Sequence, residues 1–547
     1  MVIALAVALL GALLRLGLID LQELWLDEAC TAHFATLPWP EFWASFAHES
    51  HPPLYYAAVR GSIALFGLEP WALRLPSWIA ATLGSVAIGL LGARLGGLRG
   101  ALTASVMATL APIASYYAVE ARPYAMAAGL CACFFATWEA ALRTRRTGWT
   151  ALTALLGLAA AMSHYYAMLV VCVAPLTALV PILDRRWGGP SPREADPPRT
   201  RPVAAALLVA LLPAVATVAW IAFVGTADVG AGSKQWLVAA FPGAAAAIRD
   251  SLLSLAGAGP YPEYLGALGL LPVPTWVAPL GSLGAAGLFL SAVIRSRDGG
   301  MATPSSALGR SALLAGWLGP LLIAIGFSAL VKPVFLAGRY ELVGLPALMV
   351  LLSLGFSEPR SRLRDWLGGV SFAAWTLAQV AFTVVWLRSD FARPTEAVHA
   401  LLQRVQTVDA PPVAAVHAVG FSYAPLAALE KRTPTGTPVL AVPRGLTEHP
   451  GWWATPPSGA PVDPTELPVP PMDGREVWVV RQRGDGLSRY ADAAGQRLFA
   501  AGYRPGVPID IDGVVLVRFS AADASPDSGA PTRPGRAGSL VPLGAGP

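Results

Sequence analysis

Charge is what this chain has least of. Of its 547 residues only 13% are charged while 55% are hydrophobic, against roughly 25% charged in an ordinary soluble domain. That shortage excludes a purely water-soluble protein. Cysteine is scarce too: four are too few for a disulfide framework, and Cys131, Cys133 and Cys172 fall inside apolar runs, leaving Cys30 with no partner outside them. Cys131 and Cys133 are one residue short of a C-x-x-C spacing. No internal repeat is evident. The first apolar run lacks the basic n-region and A-x-A site of a cleaved signal peptide, so it is expected to remain as a span. A net charge of +5 does not point to nucleic acid, because the Lys and Arg are divided among loops.

What is there is a series of apolar runs of bilayer-crossing length, about 17 to 25 residues each. Eleven are placed, at 2–19, 74–92, 100–115, 123–141, 149–164, 167–183, 203–224, 268–294, 311–330, 341–357 and 367–387. Alternate loops hold most of the arginines, among them Arg94, Arg99, Arg143, Arg145, Arg146 and Arg310. The positive-inside rule makes those loops cytoplasmic. The opposite loops hold fewer cations: Arg60, Arg74, Arg122, Lys234, Arg249, Lys332 and Arg339. With an odd number of spans the amino terminus is inside, and Asp27, Glu28 and the carboxyl-terminal segment are outside.

The first outer loop, 20–73, is too rich in Trp, Phe and His to be disordered. Its stretches PWPEFWASFAHES and LYYAAVRGSIALFG show helical spacing of bulky apolar residues and are expected to lie on the membrane as short amphipathic helices. DRRWGGPSPREADPPRTR reads as a Pro-rich basic linker. Beyond 390 the composition turns water-soluble. TEAVHALLQRVQ reads as a helix, and PVAAVHAVG, REVWVVRQR and GVVLVRFS read as strands. The division expected is a membrane domain at 1–389, an α/β domain at 390–520 and a disordered tail at 521–547.

The outer ends of the spans carry the distinctive residues: LWLDEACTAHF (Asp27, Glu28), HESHPPLYY (His48, Glu49, His51), YYAVEARPYA (Glu120, Arg122, Tyr124), SHYYA (His164) and KPVFLAGRYELV (Lys332, Arg339, Tyr340). Aromatic belts and snorkelling cations account for many interfacial residues singly. They do not account for a carboxylate pair, or for basic groups gathered on the side that the positive-inside rule depletes. An anionic ligand would explain that gathering.

LWLDEA, HPPLYY, EARPYA, SHYYAMLV and GRYELVGLPALMVLLSLG, in this order and spacing, resemble the bacterial branch of the GT-C glycosyltransferases. These are the relatives of the dolichyl-phosphate-mannose protein mannosyltransferases and the aminoarabinose transferases, grouped as glycosyltransferase family 39. The likeness covers about residues 1–360. It implies an α-helical polytopic membrane protein of GT-C type; with the apolar runs and the carboxyl-terminal composition above, the expected fold is about 11 transmembrane helices followed by a small extracytoplasmic α/β domain. It also implies a bacterial inner-membrane location, a sugar donor carried on a polyprenyl phosphate, and a catalytic acid in the first outer loop, which the motif match places at Asp27.

A sugar on a lipid phosphate already has a good leaving group. The acceptor hydroxyl is the poor partner, and one carboxylate within hydrogen-bond reach can take its proton, typically for about 10² to 10⁴ in rate. Asp27 is the expected base of an inverting displacement. Glu28 is grouped with it as catalytic, although neighbours on a helix diverge by roughly 100°, so it is expected to orient a loop or a substrate hydroxyl. Arg122, Lys332 and Arg339 are candidates for the donor phosphate, since an arginine fork holds two phosphate oxygens. His51, Glu120, Tyr124 and Tyr340 complete the expected substrate site, although Arg122 could instead pair with Glu120. No cofactor is required and no metal ligands are assigned; a divalent metal is compatible with the superfamily, but Pro52 and Pro53 break the His48–His51 spacing as a helical ligand pair.

The expected activity is hexosyl or pentosyl transfer from a polyprenyl-phosphate donor to a lipid, glycan or protein acceptor. Neither the sugar nor the acceptor is written in the sequence. The alternative is a lipid or solute transporter or flippase. Transport predicts ionisable residues or broken helices near mid-membrane, whereas the charges here cluster at one boundary.

Overall fold

Apolar backbone in a bilayer finds no water, so each run must satisfy its own hydrogen bonds as a helix. The computed structural model describes residues 2–46, 49, 51–179, 200–224, 241–254, 273–297, 304–357, 362–388, 394–407, 413–419, 422–442, 475–482 and 488–521. His48, Lys234, positions 184–199 of the basic linker and the tail from 522 lie outside the described residues. Helix α1 (Val2–Leu18) is followed by the short helices α2 (Leu26–Thr36), α3 (Trp39–Ser45) and α4 (Leu54–Phe66). Then come α5 (Pro70–Leu110), α6 (Pro112–Ala118), α7 (Pro123–Thr144), α8 (Thr147–Ser163), α9 (Tyr165–Leu176), α10 (Thr200–Val224), α11 (Ala244–Leu253), α12 (Val277–Arg297), α13 (Pro304–Leu330), α14 (Leu345–Ser353) and α15 (Arg362–Arg388). Among the described residues, 6 helices are long and apolar enough to cross a membrane, with shorter apolar helices beside them. The protein is a multi-pass membrane protein. Its large exposed side chains are accordingly apolar, as with Leu5, Leu9 and Leu13 on α1 and Leu211, Val215 and Val218 on α10.

Two close approaches set the frame of the site. The α5 run contains a reversal at Gly97, whose φ of 65° and ψ of −158° are non-helical, so the runs expected at 74–92 and 100–115 become two arms. They meet backbone to backbone, where a Cβ on Gly92 would lie 2.5 Å from the carbonyl of Gly100. The first arm also meets α7, and a Cβ on Gly129 would fall 2.1 Å from the carbonyl oxygen of Ala80. That seam brings the amino-terminal ends of α5 and α7 side by side.

Arg15 is buried in this bundle. Its Nη1 donates to Ser85 Oγ at 3.1 Å, its Nε to Ser115 Oγ at 3.4 Å and its Nη2 to the carbonyls of Ala108 and Thr109. Those carbonyls end α5, where the turn at Ala111 and Pro112 leaves them without helical partners. A guanidinium at a helix carboxyl terminus is favourably placed, so Arg15 acts as a cap on α5.

The carboxyl-terminal segment forms α16 (Pro394–Thr407), β1 (Val413–Val419), α17 (Tyr423–Arg432), β2 (Val439–Val442), β3 (Glu476–Gln482), α18 (Ser488–Ala500), β4 (Tyr503–Pro505), β5 (Ile509–Ile511) and β6 (Val514–Ala521). The strands make one sheet in the order β2-β1-β3-β6-β4, with β5 pairing β6. β1 runs parallel to both β2 and β3, and β6 is antiparallel to β3. The near-continuous apolar run of β1 suits a strand covered on both faces. Tyr490, Ala494 and Leu498 of α18 cover one face; Val398 and Leu402 of α16 with Leu426 of α17 cover the other.

Candidate active site

Helix α2 begins where Trp25 adopts an extended conformation, and it places Asp27 and Glu28 in its first turn. Acids are favoured there by the unpaired N–H groups and the helix dipole. The two carboxylates then part. Glu28, whose side chain is 2% exposed, accepts from Arg74 Nε and Nη2 at 2.7 Å each and from the Ala121 backbone N–H at 2.7 Å. Arg74 also donates to the carbonyls of Ile19, Gln22 and Glu23. Glu28 thereby ties the chain between α1 and α2 to α5 and α7, and among the described residues it makes no hydrogen bond or ion pair with the side chains of Arg122, Tyr124 or Arg339.

Asp27 keeps 22% of its side chain exposed. Its Oδ2 lies 3.3 Å from Arg339 Nη1 and 3.7 Å from Arg122 Nε. Three segments far apart in sequence thus converge on one carboxylate. Arg122 precedes α7, and its carbonyl accepts from Ser77 Oγ of α5 at 3.1 Å, with Ser77 in turn 3.0 Å from Tyr55 of α4. Arg339 follows Gly338, whose φ of 81° turns the chain into the 3₁₀ helix Tyr340–Gly344. The Gly338 N–H donates to Glu341 at 2.6 Å and its carbonyl accepts from Tyr117 at 2.7 Å. The guanidinium of Arg339 sits 5.6 Å from the Trp25 ring and 5.7 Å from that of Tyr124, whose hydroxyl it approaches at 3.4 Å.

An aromatic wall closes the site. Tyr340 stacks on Tyr166 at 4.5 Å between ring centroids, and Tyr124 packs edge-on against Tyr117 at 5.0 Å and His51 at 5.9 Å. The Tyr166 hydroxyl donates to the carbonyl of Val334 at 2.6 Å, which fixes the loop before Arg339. His51 bonds Glu49 through Nδ1 at 3.0 Å, and its ring lies 5.1 Å from that of His164. His164 Nδ1 accepts the Tyr166 backbone N–H at 3.1 Å.

Burial dominates the electrostatics here. It pushes the Glu120 carboxyl up to about 8, with Arg339 opposing and Glu28 and Asp27 reinforcing. Glu120 is therefore neutral at pH 7, and neither of its buried oxygens has a hydrogen-bond partner among the described residues. Burial also lowers His51 and His164, the second well below the usual histidine range, so both rings are neutral. For Arg122 burial disfavours the cation, but Asp27 and the surrounding tyrosines outweigh it and raise the group. Arg339 is raised in the same manner by Tyr124 and Asp27. Both arginines stay charged.

Of the residues expected from sequence, Asp27, Arg122, Tyr124 and Arg339 share direct contacts, while His51 and Tyr340 join through rings and Glu120 through its field. Lys332 is exposed just past α13 and enters none of these contacts among the described residues. Tyr117, Tyr166, Trp25 and Arg74 were not expected in these roles. The Tyr-Tyr pairs inside YYAVEARPYA and SHYYA were the available signal, but a belt reading absorbs them. Among the described residues no group of three His, Cys, Asp or Glu side chains is placed to hold a metal ion.

No curated protein sequence matches the chain. Among solved structures it is similar to ArnT from Cupriavidus metallidurans bound to undecaprenyl phosphate, at 16% identity and a TM-score of 0.39, covering 96% of this chain and 99% of that one. It is also similar to the archaeal oligosaccharyltransferase AglB from Archaeoglobus fulgidus in complex with an inhibitory peptide and a dolichol-phosphate, at 10% identity and a TM-score of 0.46, covering 95% of this chain and 74% of that one. Residues 50–189 match the family model described as dolichyl-phosphate-mannose-protein mannosyltransferase. Over that stretch, which includes HPPLYY, EARPYA and SHYYA, the chain carries the sequence pattern of the mannosyltransferase family that its motifs resemble.

Proposed function

We propose that the protein is a membrane glycosyltransferase that moves a sugar from a polyprenyl-phosphate donor to an acceptor hydroxyl on the extracytoplasmic side. The observation that carries this reading is the convergence of Asp27 with Arg122 and Arg339, a partly exposed carboxylate between one buried and one half-buried guanidinium. A carboxylate next to two fixed cations suits a reaction in which a neutral hydroxyl gains a bond while a phosphate oxygen gains charge. The match of residues 50–189 to a family named for a lipid-phosphate sugar donor supports the same reading.

Arg122 and Arg339 would hold the donor phosphate at the edge of the helical bundle, where its lipid tail can enter the bilayer. Asp27 would take the acceptor proton as the acceptor oxygen attacks the anomeric carbon. The carbon–oxygen bond to phosphate breaks with inversion, and its electron pair leaves on the lipid phosphate. Preorganised guanidiniums stabilise that developing charge without rearranging during the reaction. His51, Tyr124 and Tyr340 line the same space and would supply the faces and donors against which a sugar packs.

The test is transfer of radiolabelled sugar from synthetic polyprenyl-phosphate donors to a cell-envelope acceptor fraction, for the wild type and for Asp27→Asn. The expected outcome is a loss of about 10² to 10⁴ in rate, the usual contribution of a general base, with the variant still folded. Undiminished transfer by the folded variant would remove Asp27 from the chemistry.

A further inference from the structure

The carboxyl-terminal domain touches the membrane part of the chain at the segment that carries Asp27. Glu23, four residues before Asp27, accepts at Oε2 the backbone N–H of Thr395 at 3.0 Å and that of Glu396 at 3.1 Å. Its Oε1 accepts the Thr395 hydroxyl at 3.0 Å. Those N–H groups belong to the first turn of α16 and have no partner within the helix. A carboxylate from the α1–α2 connection therefore caps a helix of the other domain.

At the far end of α2, Lys431 Nζ of α17 donates to Thr36 Oγ1 at 2.7 Å. Arg432 Nη2 pairs with Glu69 Oε2 at 3.0 Å. Between these ends Ala424 of α17 is buried in one core with Ala29, Cys30, Ala32 and Phe34 of α2. The gap left around Glu23, Leu68, Thr395 and Arg432 is about 10 Å³, room for one water. The connection just before α2, the middle of α2 and its far end are thus in contact with the carboxyl-terminal domain, and Asp27 lies within that span.

We infer that the carboxyl-terminal α/β domain is a positioning clamp on α2, which holds Asp27 against Arg122 and Arg339, with Glu23 as its positioning residue. The Glu28–Arg74 pair holds the first turn of α2, and Arg60 of α4 donates to the carbonyls of Ala35 and Leu37 at its far end. The clamp adds contacts on the side of α2 that faces α17 and on the connection that leads into α2. The inference deepens the transferase reading and rests on it for the activity measurement alone.

The experiment uses the full chain in lipid nanodiscs, comparing wild type, Glu23→Ala, Glu23→Gln and Arg432→Ala by hydrogen exchange over Leu26–Thr36 and by kcat and KM for the donor. Loss of a helix cap should raise exchange across α2 in Glu23→Ala by about threefold to tenfold and lower kcat by a similar factor, with donor KM little changed. Glu23→Gln keeps an oxygen for the two N–H groups and should restore both values. Arg432→Ala, at the half-exposed edge, should move them in the same direction by less. The clamp is overturned if the Thr395 and Glu396 amides lose protection in Glu23→Ala while α2 exchange and kcat stay at wild-type values. If the wild type itself transfers no sugar, the transferase reading fails, and exchange across α2 still decides the clamp.

Discussion

Replacing Glu28 by Gln should unfold the protein more readily, and it should do so without Glu28 ever touching substrate. The variant leaves the Arg74 guanidinium, 1% exposed, without the carboxylate that now takes two of its N–H groups at 2.7 Å. Breaking a buried ion pair by removing one partner costs about 3–5 kcal/mol. Set against a typical total stability of about 5–15 kcal/mol, that is a large fraction. The remaining amide offers one oxygen to a site that now serves three donors, counting the Ala121 N–H. Thermal unfolding of the purified protein in one detergent reads the loss. A double-variant cycle with Arg74→Met isolates the pair, and it should show a coupling of about 0.5–3 kcal/mol, because Met fills the space and needs no counter-charge. A Glu28→Gln protein as stable as wild type but inactive in transfer would refute the reasoning and return Glu28 to the substrate.

Two further outcomes follow from the same geometry. Arg339→Lys keeps the charge but loses the planar fork, so donor KM should rise about tenfold, the value of one charge-assisted hydrogen bond, with kcat less affected; an unchanged donor KM would separate Arg339 from the phosphate. Glu120 is raised by burial from an ordinary 4.5 to about 8, so its contribution to stability is fully present below about 4.5 and is lost as pH rises through 8. The melting temperature should therefore fall between about pH 4.5 and 8, and Glu120→Gln should flatten that fall; equal slopes for the two proteins would refute it.

Depth in the bilayer is legible in this sequence, and azimuth around the bundle is not. The hydropathy runs and the loop charges put Asp27, Glu120, Arg122, Lys332 and Arg339 at one boundary. Whether two residues at that boundary meet depends on which helices are neighbours, and that is decided by seams such as Gly129 against Ala80. Arg339 and Asp27, 312 residues apart, meet; Lys332, seven residues before Arg339, does not join them. Arg74 read as an ordinary boundary cation because nothing local marks its partner. The tyrosines failed for a different reason, since an interfacial belt and a site wall use the same residue type. The α/β segment was easier, because the alternation of helix and strand patterns there is local.

Arg15 has a consequence for how the chain assembles. The first helix enters the membrane carrying a cation whose acceptors lie 70 to 100 residues further along the chain. Ser85 lies on the first arm of α5, whereas Ala108, Thr109 and Ser115 come only after the reversal at Gly97. A cation near the end of a span can reach the surface by extending its side chain, which holds the helix shallow. The packing of α1, and with it of the connection that bears Asp27, therefore depends on segments from both arms of α5.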